Sequence, residues 1–482
     1  MKSTTLLLAL GTIIPTPAAG LSPGKRQDGS PRVLGLNLRR QVVRDPIAND
    51  AKRLRKRAGS VNATMDNHEI LYFLNGTLGN PPQPVRMHLD TGSSDLWINT
   101  AKSDLCSLKS RPCAASGTYN ANSSSSYNYI GSFFNISYVD GSGASGDYVT
   151  DTLRLFGQEI QNFQFGVGYT STSPQAVLGV GYPANEAPIA RFKKTQYDNL
   201  PAKMAKDSII ASSAYSLWLN DIDAQDGTIL FGGIDKARFK GQLVSLPIQK
   251  VDDQFVEFYI TLTGLSVGGT TAGDNMALAV LLDSGSSFTY LPNNLIQPIY
   301  KALNAQFEQG DGVAYVPCSL RNQDTNLTFR FSDPAVIDVP LREVVIDPTE
   351  LPSGRPMAFG DGTPACYCGI LPSDNSISVL GDTFLRSAYV VYDMGNNKIS
   401  LAKTNFNATG SDIAEIGTGA NAVPQAVAAQ KPVAATSGIP DRSSRNGNSN
   451  KNGAAGVPAP SLAPVALTLA LSLLVGFAGF VS

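Results

Sequence analysis

Short apolar runs separated by Gly, Asn and Asp set the texture of the chain between about residues 66 and 405. The runs QNFQFGVGY (161–169), GTILFGGI (227–234), FYITLTGLSVGG (258–269) and AYVVYDMGNNKISLA (388–402) alternate or stay apolar between turn residues. That pattern predicts β-strands joined by tight turns. Helical spacing is sparse; it is best at 200–212 and at 294–308, the second following Pro292. The expected fold class is mainly β, in a body long enough for two domains.

The two ends are apolar for other reasons. Residues 1–20 hold Lys2, the run LLLALGTII and a close of small residues, Ala18-Ala19-Gly20, which reads as a signal peptide. Residues 462–482 are apolar and uncharged, with no basic flank after them, and follow the small, polar NSNKNGAAGVPAPS. That order is the pattern of a GPI-anchor signal, with Asn452 as the attachment residue and 453–482 removed. It places the protein at the cell surface, held at the plasma membrane or passed to the wall. Residues 406–452 shift to Ala, Gly, Ser, Asn and Pro, a composition expected of a flexible stalk without a core.

Charge divides the chain. Residues 1–57 carry twelve Lys/Arg against three Asp, a net +9. The whole chain is −1, so the rest is −10. Segment 21–57 ends in KRLRKR and reads as a basic pro-segment, cut after Arg57 by a dibasic processing protease and acting as an electrostatic inhibitor of the acidic body. An acidic body argues against nucleic acid as a partner.

Five cysteines suit an oxidising compartment. Cys106 and Cys113 bracket a polar loop, and Cys318 must reach Cys366 or Cys368, leaving one cysteine over. The CYC spacing is not that of a zinc site, and only His68 and His88 exist in the chain, so neither a metal nor a Ser-His-Asp triad is expected. His88 reads as a strand side chain. Sequons at Asn62, Asn75, Asn122, Asn135, Asn326 and Asn407 fit a secreted glycoprotein.

One stretch is written twice. LDTGSSDLW begins at Leu89 and LDSGSSFTY at Leu282, which sets Asp90 and Asp283 193 positions apart. Each is echoed by an apolar-apolar-Gly: Val177-Leu178-Gly179 and Val379-Leu380-Gly381. Two copies of one lobe, related by an approximate two-fold axis, would bring the aspartates together. Carboxylates that close share one proton, so one can activate water while the other protonates a carbonyl oxygen. Gly92 and Gly285 permit tight turns, and the serines after them supply hydroxyls to orient the carboxylates.

With these motifs the chain resembles a pepsin-family aspartic endopeptidase, from about Asp66 to Lys403. The basic pro-segment and the tail resemble the fungal GPI-anchored, yapsin-like branch. The resemblance implies a bilobal pepsin-like fold, an N-terminal lobe at 58–246 and a C-terminal lobe at 247–405, around a substrate cleft. It implies Asp90 and Asp283 as the catalytic pair, supported by Ser93 and Ser286. It implies a flap at 136–152 with Tyr138 as the flap tyrosine, Asp140-Gly141 as the turn, and Trp97 as the partner of that tyrosine. It also implies disulfides Cys106–Cys113 and Cys318–Cys366, no cofactor, polypeptide substrates and a monomer. A preference for Lys or Arg beside the scissile bond is expected through Asp140, although Leu71 stands where a second acidic residue would be sought. Two other classes are a non-catalytic, protease-like wall glycoprotein and a glycosidase; the intact pair argues against the first, and the Asp-(Thr/Ser)-Gly duplication against the second.

Overall fold

The computed structural model describes residues 32–43, 69–137, 143–155, 157–192, 194–309, 312–348, 356–373 and 377–440. All of them fall in one compact unit that ends at Pro440. The signal segment, most of the pro-segment, Asn62, His68, Tyr138, Asp140, Gly141, Asn452 and the apolar tail lie outside the described residues. Among the described residues no helix is long and apolar enough to cross a membrane.

Strands β1 (Leu34–Val43), β2 (Glu69–Leu78), β3 (Gln83–Asp90), β4 (Leu96–Asn99), β5 (Asn128–Ser137), β6 (Gly143–Leu155), β7 (Gln158–Ser171), β8 (Ala176–Gly179), β9 (Ala214–Trp218) and β10 (Asp226–Phe231) belong to one 14-stranded sheet. Phe239–Pro247, Ala388–Asp393, Lys398–Thr404 and Val427–Ala428 complete it, so both halves of the chain contribute. The expected lobe boundary at 246/247 therefore falls at the end of a strand in a shared sheet. Smaller sheets of two, four and five strands hold the remaining strands on this order.

The duplicated motif is a duplicated piece of architecture. In the first half, β3 runs parallel to β8 with Leu89 opposite Leu178 and Asp90 opposite Gly179, and β4 runs antiparallel to β8 with Trp97 opposite Val177. In the second half, Leu278–Leu282 runs parallel to Ser378–Leu380 with Leu282 opposite Leu380, and Tyr290 pairs antiparallel with Val379. Ala176–Gly179, Leu278–Leu282 and Ser378–Leu380 are buried along their length, and β3 over its last four residues, which is why the ends that carry the aspartates read as apolar.

Three expectations change. The two helices are shorter than their apolar spacing suggests, Leu200–Lys206 and Asn293–Leu303. The second ends because Asn304 takes a left-handed conformation (φ 52°), after which Gln306–Glu308 is a strand. Residues 406–440 are not a free stalk. Ile413–Glu415 pairs with Gly233–Asp235, Val427–Ala428 joins the large sheet, and Ile416, Ala422, Val423 and Ala429 are buried. Farther on, the Ala279 amide donates to the Ser437 carbonyl at 2.8 Å. Sparse apolar residues suffice here because the strap borrows a core already built by the body.

The third change concerns the segment 21–57, expected to be a pro-segment. Its described part is β1, held between β10 and β2 with Leu34, Leu36 and Leu38 buried. Charge alone does not account for such a grip. The alternation L-G-L-N-L marks a strand, and sheet pairing plus apolar burial anchor it.

Candidate active site

β3 and Leu278–Leu282 each deliver an aspartate to the end of a buried strand, where the chain turns. The two loops meet. A Cβ added to Gly92 would lie 2.5 Å from Asp283 Oδ1, so the second carboxylate rests on the backbone two residues beyond the first. Glycine is required there for that approach. Asp90 is fully buried by neighbouring atoms and Asp283 nearly so.

Each carboxylate is oriented in the same way. The Gly92 amide donates to Asp90 Oδ1 at 2.9 Å, and the Gly285 amide to Asp283 Oδ1 at 2.8 Å. The Ser93 hydroxyl donates to Asp90 Oδ2, and the Ser286 hydroxyl to Asp283 Oδ2 at 3.0 Å. All four supporting residues named from the sequence thus touch the carboxylates. A second set, Thr91 and Ser284, locks the loops to one another; its signal was the Thr/Ser between Asp and Gly in both copies. Gly179 and Gly381 also gain a reason. A Cβ on Gly179 would sit 2.5 Å from the Ser94 amide nitrogen, and one on Gly381 would sit 2.2 Å from the Phe288 carbonyl. Each echo motif presses bare backbone against its loop.

Tyr215 and Tyr392 stack at 4.8 Å near this pair. Burial holds both phenols well above their ordinary range, and the negative charge of Asp90 adds to this at Tyr215. They remain neutral hydroxyls in the acid range.

Sequence reasoning missed a network behind the first loop. Asp95 Oδ1 accepts from the Tyr148 hydroxyl at 2.7 Å and the Tyr197 hydroxyl at 2.8 Å, and Asp95 Oδ2 accepts from the Ala187 amide at 2.9 Å. Tyr148 lies on β6, so the stem of the β5–β6 hairpin is pinned to the loop that carries Asp90. Glu186 is buried beside it, and its Oε2 accepts from the Tyr197 amide. Burial pushes the Glu186 carboxyl up to about 10. Trp97 is fully buried with Phe134, Tyr148 and Val177. His88 is a buried strand residue whose ring stands 5.6 Å from that of Phe73.

The disulfides are Cys106–Cys113 and Cys318–Cys366, with Cα separations of 5.3 and 5.0 Å. Cys368, which the sequence left open, is a buried free thiol. Asn75, Asn122, Asn135 and Asn407 are exposed, and Asn326 is half-buried.

The family model described as eukaryotic aspartyl protease matches residues 71–404. The chain is 51% identical over 409 residues to a probable aspartic-type endopeptidase opsB of Aspergillus oryzae, covering 84% of this chain and 82% of that protein. It is 33% identical over 423 residues to secreted aspartic protease 1 of Candida albicans, covering 86% and 99%. Its fold is similar to that of the aspartic proteinase from Irpex lacteus, with a TM-score of 0.58 at 18% identity over 79% of this chain and 100% of that one.

Proposed function

The chain belongs to the eukaryotic aspartyl protease family and is an aspartic-type endopeptidase, and on that premise we propose that Asp90 and Asp283 are its catalytic pair. The observation that carries this reading is the contact of the Asp283 carboxylate with Gly92. Two carboxyl groups at one site hold one proton between them over an acidic range. The ionised member takes a proton from a water held between the two, and the protonated member gives its proton to the carbonyl oxygen of the peptide. Water adds to the carbonyl carbon, and the tetrahedral adduct collapses as the leaving nitrogen is protonated. No covalent enzyme intermediate forms. Ser93, Ser286 and the Gly92 and Gly285 amides keep both carboxylates aimed at the same point.

The working range is acidic, because the shared proton is lost as pH rises. The protein enters the secretory pathway through residues 1–20, is cut after Arg57 by a dibasic processing protease, and is displayed on a GPI anchor added near Asn452. Segment 21–57 inhibits until it leaves. Asp140 favours a basic substrate side chain beside the cut, through a charged pair in a partly desolvated cleft. These steps rest on the sequence motifs alone.

Purified Asp90→Asn and Asp283→Asn chains, assayed on peptides at acidic pH, are each expected to lose at least about 100-fold in kcat, the scale of one general acid–base group. Near-wild-type cleavage by either folded variant would remove that residue from the pair.

A further inference from the structure

The outer face of the β5–β6 hairpin and β7 carries a groove of about 510 Å3, lined by Ser132, Phe133, Asn135, Ser145, Asp147 and Tyr169. Its floor is built rather than left over. A Cβ on Gly146 would meet the Tyr169 ring at 3.1 Å, and one on Gly131 would meet the Phe133 ring at 2.5 Å, so each ring lies on a glycine. Asp147 lines the same groove. Its Oδ1 accepts from the Ser132 hydroxyl at 2.5 Å and its Oδ2 from the Tyr169 hydroxyl at 2.7 Å. The Tyr129 hydroxyl reaches Ser132 Oγ at 2.9 Å.

This assembly faces water. Tyr169 is 43% exposed and Tyr129 51%. A cluster of exposed rings around an oriented carboxylate marks a contact surface. The chemistry suits a pyranose. Its C–H face lies on an aromatic ring, and its hydroxyl and acetamido groups donate to a carboxylate. The site also has a tether. Asn135-Ile136-Ser137 is an N-glycosylation sequon, and β5 sets Asn135 opposite Ser145, on the groove wall.

We propose that Asn135 carries an N-linked glycan whose first N-acetylglucosamine folds back into the groove between Tyr169 and Asp147. The glycan bridges β5 to β7 across β6 and stiffens the stem of the hairpin. The donor is a lipid-pyrophosphate-linked oligosaccharide. The C1–O bond to pyrophosphate breaks, the lipid pyrophosphate leaves with the bonding pair, the C1–Nδ2 bond to Asn135 forms, and the Nδ2 proton passes to solvent. The proposal rests on the secretory reading above.

The test uses the full chain secreted from a fungal host. Glycopeptide mass spectrometry reads the occupancy of each sequon, and the rate of release by a peptide N-glycosidase is followed on native and denatured protein. On native protein the Asn135 glycan is expected to leave about tenfold more slowly than one at exposed Asn122, the size of one ring contact. Tyr169→Ser is expected to close that gap to within about twofold, with peptidase activity confirming the fold; Asp147→Asn serves if that chain does not fold. Equal native rates at Asn135 and Asn122, or a gap that persists in the variant, overturn the groove. An unmodified Asn135 overturns the proposal outright. A glycan at Asn122 would then leave the secretory reading standing, whereas no glycan at any sequon would bring both down.

Discussion

Thr91 and Ser284 trade hydrogen bonds across the two halves of the molecule. The Ser284 amide donates to Thr91 Oγ1 at 2.9 Å, and the Thr91 amide to Ser284 Oγ at 3.2 Å. Each hydroxyl then donates onward to the opposite strand, Thr91 to the Leu282 carbonyl at 3.0 Å and Ser284 to the Leu89 carbonyl at 3.1 Å. The residue beside each aspartate of the proposed pair is thus fixed by its counterpart.

The Thr/Ser position therefore needs a hydroxyl more than a particular shape. Thr91→Val keeps the shape and strands two buried backbone groups, and is expected to cost about 2–4 kcal/mol in urea unfolding. Thr91→Ser keeps the hydroxyl and is expected to cost only about 1 kcal/mol for the lost methyl. Equal costs for the two variants would show that packing, not the exchange, holds the loops.

Glu186 makes stability depend on pH. Its ordinary value is 4.5; burial raises it to about 10, the Tyr197 amide opposes the rise, and Asp95 and Asp198 add to it. The folded chain keeps a proton that the unfolded chain releases above 4.5. The stability this confers is complete below that value and is lost as pH climbs toward 10. Between about pH 5 and pH 8, Glu186→Gln should flatten the fall of unfolding free energy by up to about 1.4 kcal/mol per pH unit. Parallel curves for variant and wild type would mean that Glu186 ionises inside the fold.

The strap at 406–440 belongs to the stable body. Removing everything after Asn405 strips the cover from Ile234, Leu243 and Tyr389, which cluster with Ile416, Ala422 and Val423. A chain ending at 405 is expected to be roughly 3–6 kcal/mol less stable than one ending at 440, by denaturant midpoint at equal slope. Coincident midpoints would return the segment to the status of a tether.

Cys368 is buried, and burial pushes its thiol up to about 12. A thiol-reactive dye is expected to label no group on the native, unreduced protein and one per chain after denaturation. Fast native labelling would show that Cys368 opens to solvent or that a disulfide is exchanged.

The site was legible because it is a repeat. Asp90, Gly92 and Ser93 recur as Asp283, Gly285 and Ser286, and the structure makes equivalent contacts for both sets. The echo glycines were visible as a pattern, but their reason, contact of backbone with backbone, becomes visible only in three dimensions. Glu186 and Asp95 gave no periodic signal, because a buried polar network is assembled from loops distant in sequence. The strap was misread for a related reason. Composition measures whether a segment can build its own core, and Ile416 and Val423 only complete another. In β1 the alternation of Leu34, Leu36 and Leu38 was present, but the density of Lys and Arg around it pointed to charge first.

Because β1 is an interior strand, cutting the chain after it and releasing it would be two separate events. A cut after Arg57 would break the backbone and leave Leu34–Val43 still paired on both edges. The particle would travel on nicked but whole, its two pieces held as subunits are held. The moment of such a cut would be set by the protease that makes it; the moment of departure would be set by how often an interior strand frays from its neighbours. The interval between them would then be a timer written into the sheet, running on local unfolding rather than on proteolysis.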